Sequence, residues 1–379
     1  MKSRKKNKKP LLILILLIAI VFGALYFFKE HFTKVEKEEN TPEILEKEEV
    51  EKIYNVSFTL AGNVLVNSDM WSDTKTMDGH DFNPIFKLLE ETFKKSNINF
   101  YTQQSIVGGN DLGESAVYDY NTPTEIFIET SKLDFNLISF GSYHAYDRGI
   151  EGIENTIKYL TENKINYSGI KDKEDRIENN IIYKNGIKVG LLSYTLNTDE
   201  KVSEEYAVKK YSDEVAKKDI EELKQKVDVI MVSIDWNNLN STAVTEEQKR
   251  VAEYLSNLGV NIIVGNTSYT IQPIEMVNNT LVCYSLGNLL SGHYSVDSRI
   301  SSIIDFNLKI TKLGEKTTIE FEDINVLLTY AYNRGGIQYK IIPFTKITNE
   351  LLNYRTYYEK YKKLLTENNE KVKLYEIGE

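Results

Sequence analysis

Residues 264–292, VGNTSYTIQPIEMVNNTLVCYSLGNLLSG, constrain the fold more than any other stretch of this chain. A run suited to a buried strand, Asn261-Ile262-Ile263-Val264, feeds a polar turn from Gly265 to Thr270. A second apolar run at 281–284 ends in Ser285-Leu286-Gly287-Asn288. Two strand ends that deliver polar loops to one place are where α/β proteins build their sites. The pattern recurs upstream: an alternating run at 54–60 leads to Asn63, a run at 97–101 to Gln104, one at 137–140 to His144, and one at 229–234 to Asp235. Helical periodicity separates these runs at 81–95, 151–162, 213–226 and 245–258, the last ending at Gly259. A further helix opens at 122–125, with Thr122 as cap and Pro123 in the first turn. Residues 181–183 and 187–194 flank Asn185-Gly186, the signature of a hairpin with a type I′ turn. Runs at 301–310 and 317–321 form a second strand pair, and 350–367 a final amphipathic helix. Such alternation predicts a layered α/β fold with one cleft along the strand ends.

The N-terminus sets a different constraint. Lys2, Arg4, Lys5, Lys6, Lys8 and Lys9 precede an uncharged apolar run at 11–28, LLILILLIAIVFGALYFF. That length lies at the short end of what spans a bilayer as a helix. A cleaved signal peptide is the rival reading, but bulky Leu25-Tyr26-Phe27-Phe28 follows Ala24 where a cleavage site needs small residues. The basic flank predicts a cytoplasmic N-terminus, with everything after Lys29 outside the cell. The expected organisation is a cytoplasmic tail at 1–10, a membrane anchor at 11–28, a charged linker at 29–52, a folded domain at 53–345 and a C-terminal helix at 346–379 packed on or extending it.

Charge and rare residues narrow the chemistry. A net charge of −10 argues against nucleic acid as a partner. The single cysteine, Cys283, excludes an internal disulfide and sits in an apolar run as a core thiol. The four histidines, His31, His80, His144 and His293, limit any histidine-based metal site. His80 and His293 have no ligand-like neighbours in sequence and read as surface residues.

Several of these segments, in order, resemble motifs of the CapA family, bacterial capsule-synthesis proteins linked to poly-γ-glutamate that are similar to calcineurin-type metallophosphoesterases. Ala61-Gly62-Asn63 resembles the family's Gly-Asp turn, and the loop carrying Gln104 its Asn-x-Glu loop. Asn121-Thr122-Pro123-Thr124-Glu125 is similar to a family helix start. Tyr143-His144-Ala145-Tyr146-Asp147-Arg148-Gly149 resembles Asn-His-x-x-Asp-x-Gly, and Asp235-Trp236-Asn237 stands at His-Trp-Gly. Asn266-Thr267-Ser268-Tyr269 stands at the histidine-bearing turn before Gln272-Pro273, and Tyr284-Ser285-Leu286-Gly287-Asn288 matches Tyr-Ser-Leu-Gly-Asn. The resemblance covers residues 54–292 and implies a metallophosphoesterase-like αββα sandwich. It implies a role in capsule or exopolymer assembly, with capsule-synthesis membrane proteins or a surface polymer as partners.

The departures bear on chemistry. In the family the matching loops offer Asp, Glu, Asn and His to a metal or polar centre; here those positions are Asn63, Gln104, Tyr143, Asp235, Thr267 and Tyr269, and His144 alone is kept. Two metals need anionic oxygens and imidazoles to offset their charge. Neutral amides, a hydroxyl and a phenol do not supply that. The expectation is therefore a degenerate binding or scaffolding domain without cofactor. The alternative is a hydrolase with a remodelled site, using His144 and Asp235 as a dyad and a single divalent cation held by oxygens such as Asn63 and Asn266. A second alternative is a glycan-binding surface built on Trp236, Tyr143, Tyr146 and Tyr269. Arg148 reads either as an anion ligand or as a neighbour of Asp147 capping the next helix. Asn288 is a further ligand-binding candidate, with shaping of the cleft floor as its rival role.

Overall fold

The structure, a computed structural model, describes residues 9–35, 50–113, 115, 119–198, 202–314 and 316–378. Residues 1–8 of the expected basic tail at 1–10, and 36–49 of the expected linker at 29–52, lie outside the described residues. The chain divides into two compact units, Met1–Val50 and Glu51–Glu379. The first contains the helix Lys9–Val35. Within it Ile13–His31, at a mean hydropathy of 2.2, is long and apolar enough to cross a membrane, a test that signal sequences also pass.

The second unit is built from two sheets. The first runs in the order Lys340–Pro343, Lys316–Tyr332, Ile300–Leu313, Lys52–Val64, Ile98–Gln103, Leu137–Ser139 and Asn166–Ser168, with Asn288–Leu290 also pairing with Lys52–Val64. The second runs Ile181–Lys184, Ile187–Thr195, Val229–Asp235, Ile262–Asn266, Thr280–Cys283 and Ile274–Val277. Strand periodicity sorts each strand's side chains between two faces. Val56, Phe58 and Leu60 of one sheet meet Leu191, Met231 and Val264 of the other in a shared core. Tyr101 and Ile138 face out beneath the helix Gly149–Glu162, whose Ile153, Ile157 and Leu160 cover them. Leu192, Val232 and Ile263 face the opposite way, under the helices Asp213–Lys224 and Glu246–Asn257. The result is a helix–sheet–sheet–helix sandwich. Cys283 is buried in the inter-sheet core, and burial pushes its thiol up to about 12.

Local chemistry explains most boundaries. Asn185 and Gly186 both have positive φ, 49° and 84°, as the tight hairpin turn requires. Thr245 and Gln248 form a reciprocal capping box. Three expectations are corrected. The helix at 81–95 is broken into Asn83–Phe86, a 3₁₀ turn at Lys87–Leu89, and Glu90–Phe93. Ile85, Phe86, Leu89 and Phe93 are nonetheless buried in one cluster. Thr122 does not cap the next helix, which begins at Glu125; its hydroxyl lies 2.6 Å from Ser105 Oγ instead. The last helix starts at Tyr354 rather than 350, because the Glu350 carboxylate accepts the N–H groups of Thr348 and Asn349 at 2.9 and 3.0 Å and holds a turn there. Tyr358, Tyr361 and Leu365 of that helix join the inter-sheet core.

Candidate functional site

The site follows from strand parity. On the inner faces the apolar rungs end before the strands do. Beyond Leu191 come Ser193 and Thr195; beyond Met231 come Ser233 and Asp235; beyond Val264 comes Asn266. In the facing sheet Phe100 is followed by Thr102 and then Gln104, Leu137 by Ser139, and Leu60 by Asn63 across a register shift. The two sheets therefore enclose a polar layer at one edge of an apolar core. All of these polar residues are buried.

Hydrogen bonds stitch the layer across both sheets. Asn63 Nδ2 donates to Asn288 Oδ1 at 3.0 Å. Asn288 Nδ2 donates to the carbonyls of Tyr269 and Ser298 at 3.3 and 2.9 Å, which fixes which end of each amide faces which. The Thr267 hydroxyl receives the N–H of Gln104 Nε2 at 3.1 Å, and its one proton is shared between Asn266 Oδ1, at 2.9 Å, and the Asp235 carboxyl. Asn63 Oδ1 and Gln104 Oε1 are left with no protein partner. Thr267 and Tyr269 both hold positive φ, 68° and 60°. For β-branched Thr267 that conformation costs about 1–3 kcal/mol, which the surrounding bonds offset.

Asp235 is fully buried. Its Oδ2 accepts the Tyr143 N–H at 3.0 Å and its Oδ1 the Asn237 N–H at 2.9 Å. Burial pushes its carboxyl up to about 6, against the opposing pull of hydrogen bonds from Thr267, Tyr143 and Asn237 and of nearby His144. His144 pairs elsewhere: its Nδ1 lies 2.9 Å from Asp147 Oδ2, with the imidazole 17% exposed. Asp147 Oδ2 also accepts the Tyr120 N–H at 2.8 Å. The ring of Tyr120 meets His144 edge-on at 4.8 Å, and Tyr143 does so at 5.3 Å.

The structure thus brings Asn63, Gln104, Tyr143, His144, Asp235, Asn266, Thr267, Tyr269 and Asn288 to one edge of the sandwich. It also corrects several roles expected from sequence. The carboxylate bonded to His144 is Asp147, not Asp235, because both Asp235 oxygens are taken by backbone N–H groups. Asp147 does not cap the helix Gly149–Glu162: its Oδ2 takes both His144 and the Tyr120 N–H, and its Oδ1 has no protein partner. Arg148 donates to the Leu112 carbonyl rather than standing ready for an anion. Asn288 is buried with both ends of its amide bonded, so it has nothing left for a ligand. Trp236 shares parity with Ile234, packs in the outer core, and donates its indole N–H to the Tyr284 carbonyl at 2.8 Å. Tyr146 is buried too, its hydroxyl against Ser203 and Glu204. The glycan surface read on Trp236 and Tyr146 is therefore absent; a smaller rim of Tyr120, Tyr143 and Tyr269 stands in its place. His293 is no isolated surface residue, since its ring packs on Tyr269 at 4.6 Å. His80 is half-buried against the edge of Trp71 at 4.7 Å.

Among the described residues no three His, Cys, Asp or Glu side chains converge in a way that could hold a metal ion. Asn63 and Gln104 turn N–H groups, not charges, toward their neighbours. The donor set does not fit a pair of catalytic metals.

Two sheets packed face to face between helices, with polar strand ends meeting along one edge, define a four-layered α/β sandwich. Within that class the chain belongs to the bacterial capsule synthesis protein family PGA_cap, whose model matches residues 57–293. PGA biosynthesis protein CapA of Bacillus subtilis (strain 168) is 25% identical over 261 residues, covering 63% of this chain and 65% of its own length. The chain thus spans a little under two thirds of that relative. Capsule biosynthesis protein CapA of Bacillus anthracis is 23% identical over 324 residues, 81% of this chain and 74% of its own. A solved 5'-nucleotidase from Candida albicans is similar at 13% identity and a TM-score of 0.36, over 65% of this chain and 47% of that one.

Proposed function

We propose that this protein is a membrane-anchored, extracytoplasmic component of exopolymer assembly, of the poly-γ-glutamate type, and that its folded domain works by binding or scaffolding. Membership of the capsule family and the name of the B. subtilis relative support the pathway. The apolar helix behind a basic N-terminus supports the anchor and its orientation. One observation carries the loss of catalysis: where the family resemblance sets carboxylates, Asn63 and Gln104 donate hydrogen bonds that a carboxylate is unable to make. The amides tie together strand ends that metals would otherwise bridge.

The hydrolase alternative keeps one observation in its favour, the intact His144–Asp147 pair at 2.9 Å with its imidazole partly exposed. Cells deleted for the gene and complemented with His144→Ala separate the two readings. A binding domain restores surface polymer to the level given by wild type. Lost polymer with normal abundance and membrane fractionation of the variant would favour catalysis instead.

A further inference from the structure

The strand Ile300–Leu313 runs antiparallel to Lys52–Val64, so its first residue lies at the same sheet edge as Asn63. The turn before it, Asp297–Arg299, is fastened to the polar layer: Asn288 Nδ2 donates to the Ser298 carbonyl at 2.9 Å. His293, a few residues earlier on the same connection, is the residue packed on Tyr269. Arg299 therefore stands on the rim of the candidate site.

Its environment is unusual for an arginine. The guanidinium lies 5.0 Å from the centre of the Tyr330 ring. The residue is half-buried, and its Nε is sealed from solvent with no acceptor. Nearby carboxylates are committed elsewhere. Asp297 takes Lys360 Nζ at 2.6 Å and the Tyr361 hydroxyl at 2.7 Å. Asp73 accepts the N–H groups of Gln338 and Tyr339 at 2.8 and 2.9 Å. Asp69, which like Arg299 acts electrostatically on Tyr339, makes no ion pair with the guanidinium among the described residues. Among the described residues the other arginines are satisfied: Arg148 and Arg355 by backbone carbonyls, Arg176 by Asp172, Arg250 by Asp213 and Glu247, and Arg334 by exposure to water.

A guanidinium does not escape an unfavourable site by losing its proton. Keeping one half-buried and unpaired costs stability, in a chain whose net charge of −10 offers ample carboxylates for pairing. The contact with the Tyr330 ring face offsets part of that cost without using the guanidinium N–H groups. We infer that Arg299 is an oxyanion subsite on this rim, where a carboxylate or phosphate of a bound ligand takes parallel N–H bonds from the guanidinium. The assignment stands whether or not the neighbouring polar layer catalyses.

The test is the thermal midpoint of the full chain in detergent micelles, with glutarate or inorganic phosphate exchanged for chloride at constant ionic strength. Wild type, Arg299→Met and Arg299→Lys are compared. Methionine keeps an apolar stem against Tyr330 and removes the charge, so Arg299→Met without added oxyanion should melt at or above wild type. Wild type should be stabilised by one or both anions, Arg299→Met by neither, and Arg299→Lys should bind about tenfold more weakly because it lacks the fork. The larger response, to glutarate or to phosphate, identifies the ligand's acidic group. No stabilisation of wild type by either anion, or equal stabilisation of Arg299→Met, overturns the assignment. So does a marked fall in midpoint for both variants without anion, which would make Arg299 a structural prop.

Discussion

Asn63→Asp is expected to lower the stability of the folded domain by about 4 kcal/mol at pH 7 and by much less near pH 4. The substitution is nearly isosteric, so packing is kept and charge alone is tested. Position 63 is fully buried, and its Nδ2 supports Asn288 Oδ1 at 3.0 Å. An ionised carboxylate there faces an acceptor with no compensating cation. The favoured folded form is then the acid, whose O–H still donates to Asn288. Keeping a carboxyl protonated at pH 7, about three pH units above its ordinary value, costs about 4 kcal/mol. The sign follows from the raised folded pKa: the deficit disappears as pH falls below the unfolded value and is full once pH passes the folded one. Urea unfolding followed by the fluorescence of Trp71 and Trp236, both buried, reads the effect. An equal deficit at both pH values would mean that shape, not charge, governs the position.

Asp235 provides the second large effect. Its carboxyl is raised from 3.8 to about 6 by burial, so the folded protein holds a proton that the unfolded chain has released. That preference contributes fully below about pH 4 and is lost as pH rises through about 6, a change of about 3 kcal/mol. The difference in unfolding free energy between wild type and Asp235→Asn isolates it, since other titrating groups cancel. Wild type should lose about 2 kcal/mol of that relative to the variant between pH 4 and pH 7. The lost second acceptor in asparagine adds an offset that does not vary with pH. A flat difference, or one of opposite slope, contradicts the buried environment assigned to this carboxyl.

How far the sequence reached depended on whether a feature was local. The Asn185-Gly186 turn, the helix ending at Gly259 and the strand runs are written in neighbouring residues, and each forms where the pattern predicts. Strand parity was also legible. It places Ser233 and Asp235 on the face opposite Ile234, and applied to Trp236 it would have removed that residue from the cleft. The polar layer itself was foreshadowed by the hydrophilic residues that follow each apolar run. Partnerships across the layer were not. Nothing local distinguishes Asp147 from Asp235 as the partner of His144, because the choice depends on which backbone N–H groups reach Asp235 from other loops. His293 and Arg299 lie in a connection without periodicity, and only the folding of that connection over Tyr269 and Tyr330 gives them neighbours. Thr122 offered a genuine capping pattern, but tertiary contact with Ser105 overrode it.

The same contrast bears on the two positions where the family resemblance implies carboxylates. Read singly, Asn63 and Gln104 stand where the family resemblance sets metal ligands. Seen together, they are donors, Asn63 to Asn288 and Gln104 to Thr267, which bonds Asn266 in turn, and these bonds tie four strand ends in pairs without an ion. Calorimetric titration of the full-length, chelator-treated chain with Mn²⁺ and with Zn²⁺ tests that reading most directly. The hydrogen-bonded layer predicts no stoichiometric tight binding by wild type, and the same result for Asn63→Ala. One or two equivalents bound tightly by wild type and lost in Asn63→Ala would contradict it and return the site to metal chemistry.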